Sequence, residues 1–347
     1  MVEFTPRHVP VRHDWLADTQ EAAIDPARVI IDPHHHLWER PESPYLAPDL
    51  VKDLKAGHNV VATVYVEAHA HYREGGDPLL RPIGEVEFAA EVGRVAATTR
   101  GTPRIAAGII GTADLNAGAR VGKVLDLMIV AGEGRFCGIR SSSVHHPDPE
   151  ARGSMLNYPP GVLEGPAFRE GLAELMRRGL TFDAWMYHTQ LDDVIDLARA
   201  FPDLPIILNH VGGAIGIGPY ADKRDEVFAV WREAILRVGE CPNIRVKIGG
   251  LGMRLFGFGL HDLPKAPSSE TVAEVLRPYV ETAIEAFGPD RAMFESNFPV
   301  DKGSFSYVVF WNALKRITAA MSEDEKTDLF ARTAARTYAL PVPELGV

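Results

Sequence analysis

Eight apolar, β-branched runs alternate with amphipathic stretches along almost the whole chain. The runs are Val29–Trp38, Asn59–Ala68, Arg104–Ala113, Phe136–Ser143, Thr181–Tyr187, Pro205–Val211, Asn243–Gly249 and Arg291–Asn297. Helical spacing of apolar residues fills each interval, from Pro48–Gly57 through Gly84–Thr99 to Thr271–Phe287. Helices between consecutive strands imply parallel pairing, because a parallel neighbour is reached only by a long crossover. Eight such units predict closure into a (β/α)8 TIM barrel. An open doubly wound sheet would be favoured by a glycine fingerprint after the first strand, and that place holds His34-His35-His36. Residues 1–28, with Pro6, Pro10 and Pro26 among scattered charges, read as an N-terminal arm. The barrel takes 29–347 and includes two final helices, Phe305–Ala320 and Glu323–Tyr338. Ser322, three residues before Glu325, has capping-box spacing.

Composition narrows the class of partner. A net charge of −11 argues against nucleic acid or an anionic membrane surface, though not against an anionic small molecule. No run of 18 apolar residues and no apolar signal core is present. Cys137 and Cys241 are too few for a disulfide framework. A cytoplasmic protein acting on a small molecule is the expectation, with self-association into a homo-oligomer as a further option.

The chemistry concentrates at strand ends. Side chains alternate across a strand, so His34 and His36 should point together, with Asp32 on the same side and His35 away. Two such imidazoles can converge on one divalent ion. His188 follows the fifth run and His210 lies within the sixth, which places both at the C-terminal mouth of the barrel beside the first pair. A lone strand-end histidine is ordinarily a satisfied polar residue; four at equivalent depth read as a site. Gly212 and Gly213 suit a tight turn after the sixth strand, and no Lys-Ser/Thr follows to make a phosphate loop.

Several motifs carry a resemblance: Ile31-Asp32-Pro33-His34-His35-His36-Leu37-Trp38, Gly138-Ile139-Arg140, Asn209-His210-Val211-Gly212-Gly213, Lys247-Ile248-Gly249-Gly250-Leu251 and Phe294-Glu295-Ser296-Asn297-Phe298-Pro299-Val300-Asp301. With these the chain resembles the amidohydrolase superfamily, in the branch of the pyrone dicarboxylate and fuconolactone hydrolases. The resemblance implies a divalent metal, zinc by its donor set, on His34, His36, His188 and His210. It also implies an eighth-strand Asp, and here the chain departs, because Asn297 stands in its place. An amide can ligate through its carbonyl or orient a water but cannot act as a base. Proton transfer would then fall to Glu67, Asp301 or a histidine such as His188. Arg140 is the expected anion clamp, with Tyr72 and Lys247 as further substrate contacts. His145 and His146 read equally as mouth-lining or as surface-loop residues, and Trp38 should pack beneath the site. Glu295, one layer deeper than Asn297, reads as half of an internal ion pair with a barrel cation such as Lys247.

The function these residues imply is hydrolysis of an ester-like bond, a lactone in a carboxylated small molecule. A nonoxidative decarboxylase of an aromatic or dienoic acid is the alternative on the same scaffold, and a ligand-binding barrel without turnover is a third reading.

Overall fold

The computed structural model describes residues 8–41, 43–152 and 157–343. Eight strands run in the order β1 (Val29–His35), β2 (Asn59–Val66), β3 (Arg104–Gly111), β4 (Phe136–Ser142), β5 (Thr181–Trp185), β6 (Ile206–Leu208), β7 (Ile244–Ile248) and β8 (Ala292–Phe294). Each pairs in parallel with the next. The ring closes just beyond β8, where Asn297 N donates to His34 O at 3.0 Å and His36 N to Phe298 O at 2.8 Å. This is the expected (β/α)8 barrel. The strands stop earlier than their apolar runs, and β6 and β8 have only three residues each. The residues just past them are therefore loop, free to take conformations a strand forbids.

Alternation sorts the strand residues into two layers. Ile30, Tyr65, Ile109, Ile139, Phe182, Leu208, Val246 and Phe294 pack outward with the helices. Ile31, Val64, Val66, Ile110, Ile207 and Met293 fill the inside. Ala331, Ala334, Ala335, Tyr338 and Leu340 join that inner cluster, so the last segment plugs the barrel end opposite the mouth. The expected helix Glu323–Tyr338 is accordingly not uniform: Glu323–Thr327 leads into a π turn at Asp328–Arg332 and then Thr333–Thr337. Its capping box is present, with Ser322 N donating to Glu325 Oε2 at 2.8 Å and Glu325 N to Ser322 Oγ at 3.3 Å. Before β1, the segment around the short helix His13–Ala17 lies on the barrel's outer surface. Trp15 Nε1 donates to Leu263 O at 3.0 Å, and Lys315 Nζ to Ile24 O at 2.8 Å. No helix among the described residues is long and apolar enough to cross a membrane.

One buried polar network crosses the barrel. Lys247 Nζ on β7 lies 2.8 Å from Asp183 Oδ2 on β5, and neither side chain is exposed. Asp183 also accepts from Asn209 Nδ2 at 3.0 Å and from Tyr338 Oη at 3.1 Å. This corrects two expectations. Lys247 is not a substrate contact, because it is spent inside the barrel, and its partner is Asp183 instead of Glu295. No sequence signal marks Asp183, which sits within an otherwise apolar run.

Removing one member of such a pair strands the other charge. Asp183→Ala should lower stability by about 3–5 kcal/mol in urea unfolding, and Asp183→Leu combined with Lys247→Met should lose much less. Equal losses in the two proteins would contradict the pairing.

Candidate active site

The first strand delivers its histidines through a bulge. Asp32 pairs with Thr63 and His35 with Tyr65, so three residues of β1 oppose two of β2. The extra residue resets the alternation. His34 and His36 turn into the barrel mouth together, their Nε2 atoms 3.3 Å apart. His35 points outward to Thr63 Oγ1 at 2.9 Å. Asp32 does not accompany the pair, contrary to the unbroken period of two; it accepts from Ser296 N and Tyr307 Oη, each at 2.9 Å, and pins β1 to the segment after β8.

Glu295, just past β8, stands behind the histidines. Its Oε1 lies 2.6 Å from His210 Nδ1 and its Oε2 2.6 Å from His34 Nδ1. The first contact is a directed hydrogen bond, while the second is equally short but poorly aligned. A carboxylate at Nδ1 fixes the proton there and leaves Nε2 as the lone pair. His36 reaches the same tautomer by donating from Nδ1 to Val66 O at 2.8 Å. Three neutral imidazoles thus share one tautomer, with the proton on Nδ1.

His210 is held by an unusual backbone. His210, Val211, Gly212 and Gly213 all have positive φ, between 48° and 69°. For the β-branched Val211 that is a strained conformation, fixed in part by Trp231 Nε1 donating to Val211 O at 2.7 Å. Gly250 presses against the His210 ring, and a Cβ there would lie 2.4 Å from Nδ1.

Arg140 supplies the positive charge. Its Nε donates to Glu67 Oε1 at 2.7 Å, one terminal nitrogen to Glu67 O at 2.6 Å, and the other lies 3.2 Å from His34 Nε2. Glu67 therefore meets the cluster through Arg140. Most of the guanidinium fork is already engaged, which leaves one edge facing the histidines. Both residues line a cleft together with His36, His210 and Asn297.

The remaining expected residues fall elsewhere. β5 ends at Trp185, and its inward positions are Asp183 and Trp185, so His188 is out of step. It starts a 3₁₀ turn, accepts at Nδ1 from Ile215 N at 3.3 Å and packs edge-on to Tyr220. Trp185 takes the β5 place in the cleft, edge-on to His210 at 4.7 Å. Asp301 does not approach the histidines; it accepts from Asn297 Nδ2 at 2.9 Å and from Gly252 N at 2.8 Å, and so positions Asn297. Tyr72 bonds His69 Nδ1 through its hydroxyl at 2.9 Å and lines a neighbouring cavity. His145 and His146 face Tyr158 O and Tyr220 Oη. Trp38 lines the cleft itself, stacked with His8 and under the Arg40 guanidinium. No spacing signal marks His8 or Arg40, since both come from irregular segments.

Burial governs the charges here. It drives the His34 imidazole well below its ordinary pKa, with Lys247 and the neighbouring histidines adding to the effect. His36 is lowered by burial and then by Arg140. His210 is also lowered by burial, which outweighs the opposing pull of Glu295. For Glu67 burial acts upward, but Arg140 and His69 prevail and its carboxyl lies below the usual range. Burial raises Asp301 well above that range.

The donor set suits a divalent ion. Two imidazole lone pairs 3.3 Å apart repel unless a proton or cation lies between them. Tetrahedral zinc, with nitrogen at about 2.0–2.1 Å, places two nitrogen donors roughly 3.3–3.4 Å apart. Donor atoms of His34, His210 and Glu295 also lie within 4.8 Å of one another. Since Glu295 already occupies both Nδ1 positions, its place is behind the rings, orienting them.

The amidohydrolase family profile matches residues 31–340. An uncharacterised protein, y4mH, of Sinorhizobium fredii is 37% identical over 89% of this chain and 98% of its own. The L-fucono-1,5-lactonase of Burkholderia multivorans is 25% identical over 90% of this chain and 97% of its own. A solved amidohydrolase from Burkholderia multivorans with bound zinc superposes with a TM-score of 0.68 at 23% identity, covering 90% of this chain and 100% of that one. The match over the barrel, together with this relationship, places the chain in the amidohydrolase family, and it is a hydrolase.

Proposed function

We propose that the cleft opens a lactone by water attack. The observation that carries this reading is the Glu295–His210 pair, whose unprotonated Nε2 belongs to the same cleft as the Arg140 guanidinium. A neutral histidine backed by a buried carboxylate is the arrangement that lets an imidazole take a proton from a nucleophile and be stabilised as imidazolium. His210 Nε2 receives the proton of the attacking water. Arg140 stabilises the oxyanion that develops on the carbonyl oxygen. As the ring C–O bond breaks, the His210 imidazolium returns its proton to the departing ring oxygen, which leaves a hydroxy acid. Trp38, Trp185 and Met253 give the cleft apolar walls that limit water. A divalent ion held by Nε2 of His34 and His36 would supply Lewis-acid polarisation of the carbonyl when bound. The relationship to a named lactonase supports ester-type chemistry over decarboxylation. So does the engagement of Arg140 by Glu67, which leaves less of its fork for a substrate carboxylate.

Activity is read by the acid released from a panel of aldonolactones in an indicator assay. His210→Asn should lower kcat by roughly 10²–10⁴-fold, the cost of losing a general base, with the melting temperature little changed. Full activity in that variant would reject His210 as the base.

Because the three imidazoles are held below the ordinary value of 6.5, the basic forms persist through neutrality. The kcat/KM profile should stay level on descending to pH 6.5 and fall only below it. The same lowered values make the folded state bind fewer protons than the unfolded chain, so stability should decline as pH drops below about 6.5. An acid limb centred above 6.5 would assign the base elsewhere.

Metal analysis after dialysis against zinc should find stoichiometric ion, lost in His36→Ala. Zinc-free protein with full activity would leave catalysis to the side chains alone.

A further inference from the structure

A second cavity, of about 260 Å³, adjoins the histidine cleft. Glu67, His69, Ser142 and Tyr158 line both spaces, so the two share a wall instead of standing apart. Two polar atoms on that wall are buried without a hydrogen-bond partner among the described residues, Glu67 Oε2 and Ser142 Oγ. His69 Nε2, 3.6 Å from Glu67 Oε2, is beyond hydrogen-bond length. Buried polar atoms without partners are costly, and both belong to side chains that the two spaces share. One is a carboxylate oxygen that can only accept, and the other is a hydroxyl that can accept or donate. Hydroxyl groups satisfy both. On the far side of the cavity, partly exposed Tyr72, Pro82 and Val162 offer apolar surface, and Asp114 and Asn116, bonded to each other, add a carboxylate and an amide. Apolar surface edged by carboxylate and amide groups suits a neutral sugar ring, whose C–H face is apolar and whose rim is hydroxyl.

We infer that the adjoining cavity is a second sugar subsite, so that the preferred substrate is an aldonolactone carrying a glycosyl substituent. This rests on the lactonase reading. The lactone ring would occupy the histidine cleft, and the attached sugar would lie beyond Glu67 and Ser142 with its hydroxyls on their unpartnered atoms.

The test compares glucono-1,5-lactone with its galactosyl derivative, lactobiono-1,5-lactone, in the wild type and in Asn116→Trp. Asn116 is exposed, so the substitution can fill the cavity without disturbing the core. The disaccharide lactone should have the higher kcat/KM, by roughly tenfold or more, and Asn116→Trp should erase most of that ratio. A ratio of one or below in the wild type, or a ratio unmoved by the substitution, would overturn the subsite. Binding of the two product acids, gluconate and lactobionate, is measured by calorimetry alongside. If neither lactone is hydrolysed, the lactonase reading fails and calorimetry decides the subsite alone. Tighter lactobionate binding that Asn116→Trp abolishes would sustain it, and equal or absent binding of the two acids would reject it.

Discussion

A single buried carboxylate organises the mouth of this barrel. Glu295 follows β8, yet its two oxygens reach a histidine from β1 and a histidine from the loop after β6. Three separate parts of the sheet are therefore referred to one group. Its charge sets the tautomers of His34 and His210, and so decides which nitrogen each ring presents. Ring closure serves the same purpose, because the backbone bonds between 34–36 and 297–298 hold Glu295 at the height of the histidines. Further features support this placement: the left-handed run at 210–213, the missing side chain at Gly250 and the pairing of Lys247 with Asp183 below.

Much of the fold was legible in the sequence. The alternation of apolar runs and helical stretches identifies all eight strands, since most of the runs are buried on both faces and each is followed by a helical stretch. The boundaries were less legible. Periodicity continues past the last ladder bond, and an apolar run such as Pro205–Val211 contains only three strand residues. That overshoot matters at β5, where reading the strand to Tyr187 puts His188 at the mouth. The true end at Trp185 turns His188 aside.

The site was legible in outline and obscured in detail for local reasons. His34, His36 and His210 come together because they sit near strand ends of the right parity. The bulge between Asp32 and His35 is invisible to a strict period of two, which assigns Asp32 to the wrong face. From spacing alone Glu295 reads as half of an internal ion pair, because a buried acid beside a barrel lysine ordinarily is one. Lys247 had a different acid available in Asp183, and nothing in linear spacing distinguishes the two. Glu67 and Asp301 illustrate a general difficulty: their positions near the mouth were visible, but whether each faces the histidines or serves a neighbour depends on Arg140 and Asn297.

The closing segment of the chain has a consequence for the histidines at the other end. Ala331, Ala334, Tyr338 and Leu340 fill the barrel from below, and the Tyr338 hydroxyl seals the Asp183–Lys247 layer. Below the histidines the barrel is therefore filled by buried side chains, and a ligand meets His36 and His210 from the mouth side, where the cleft lies.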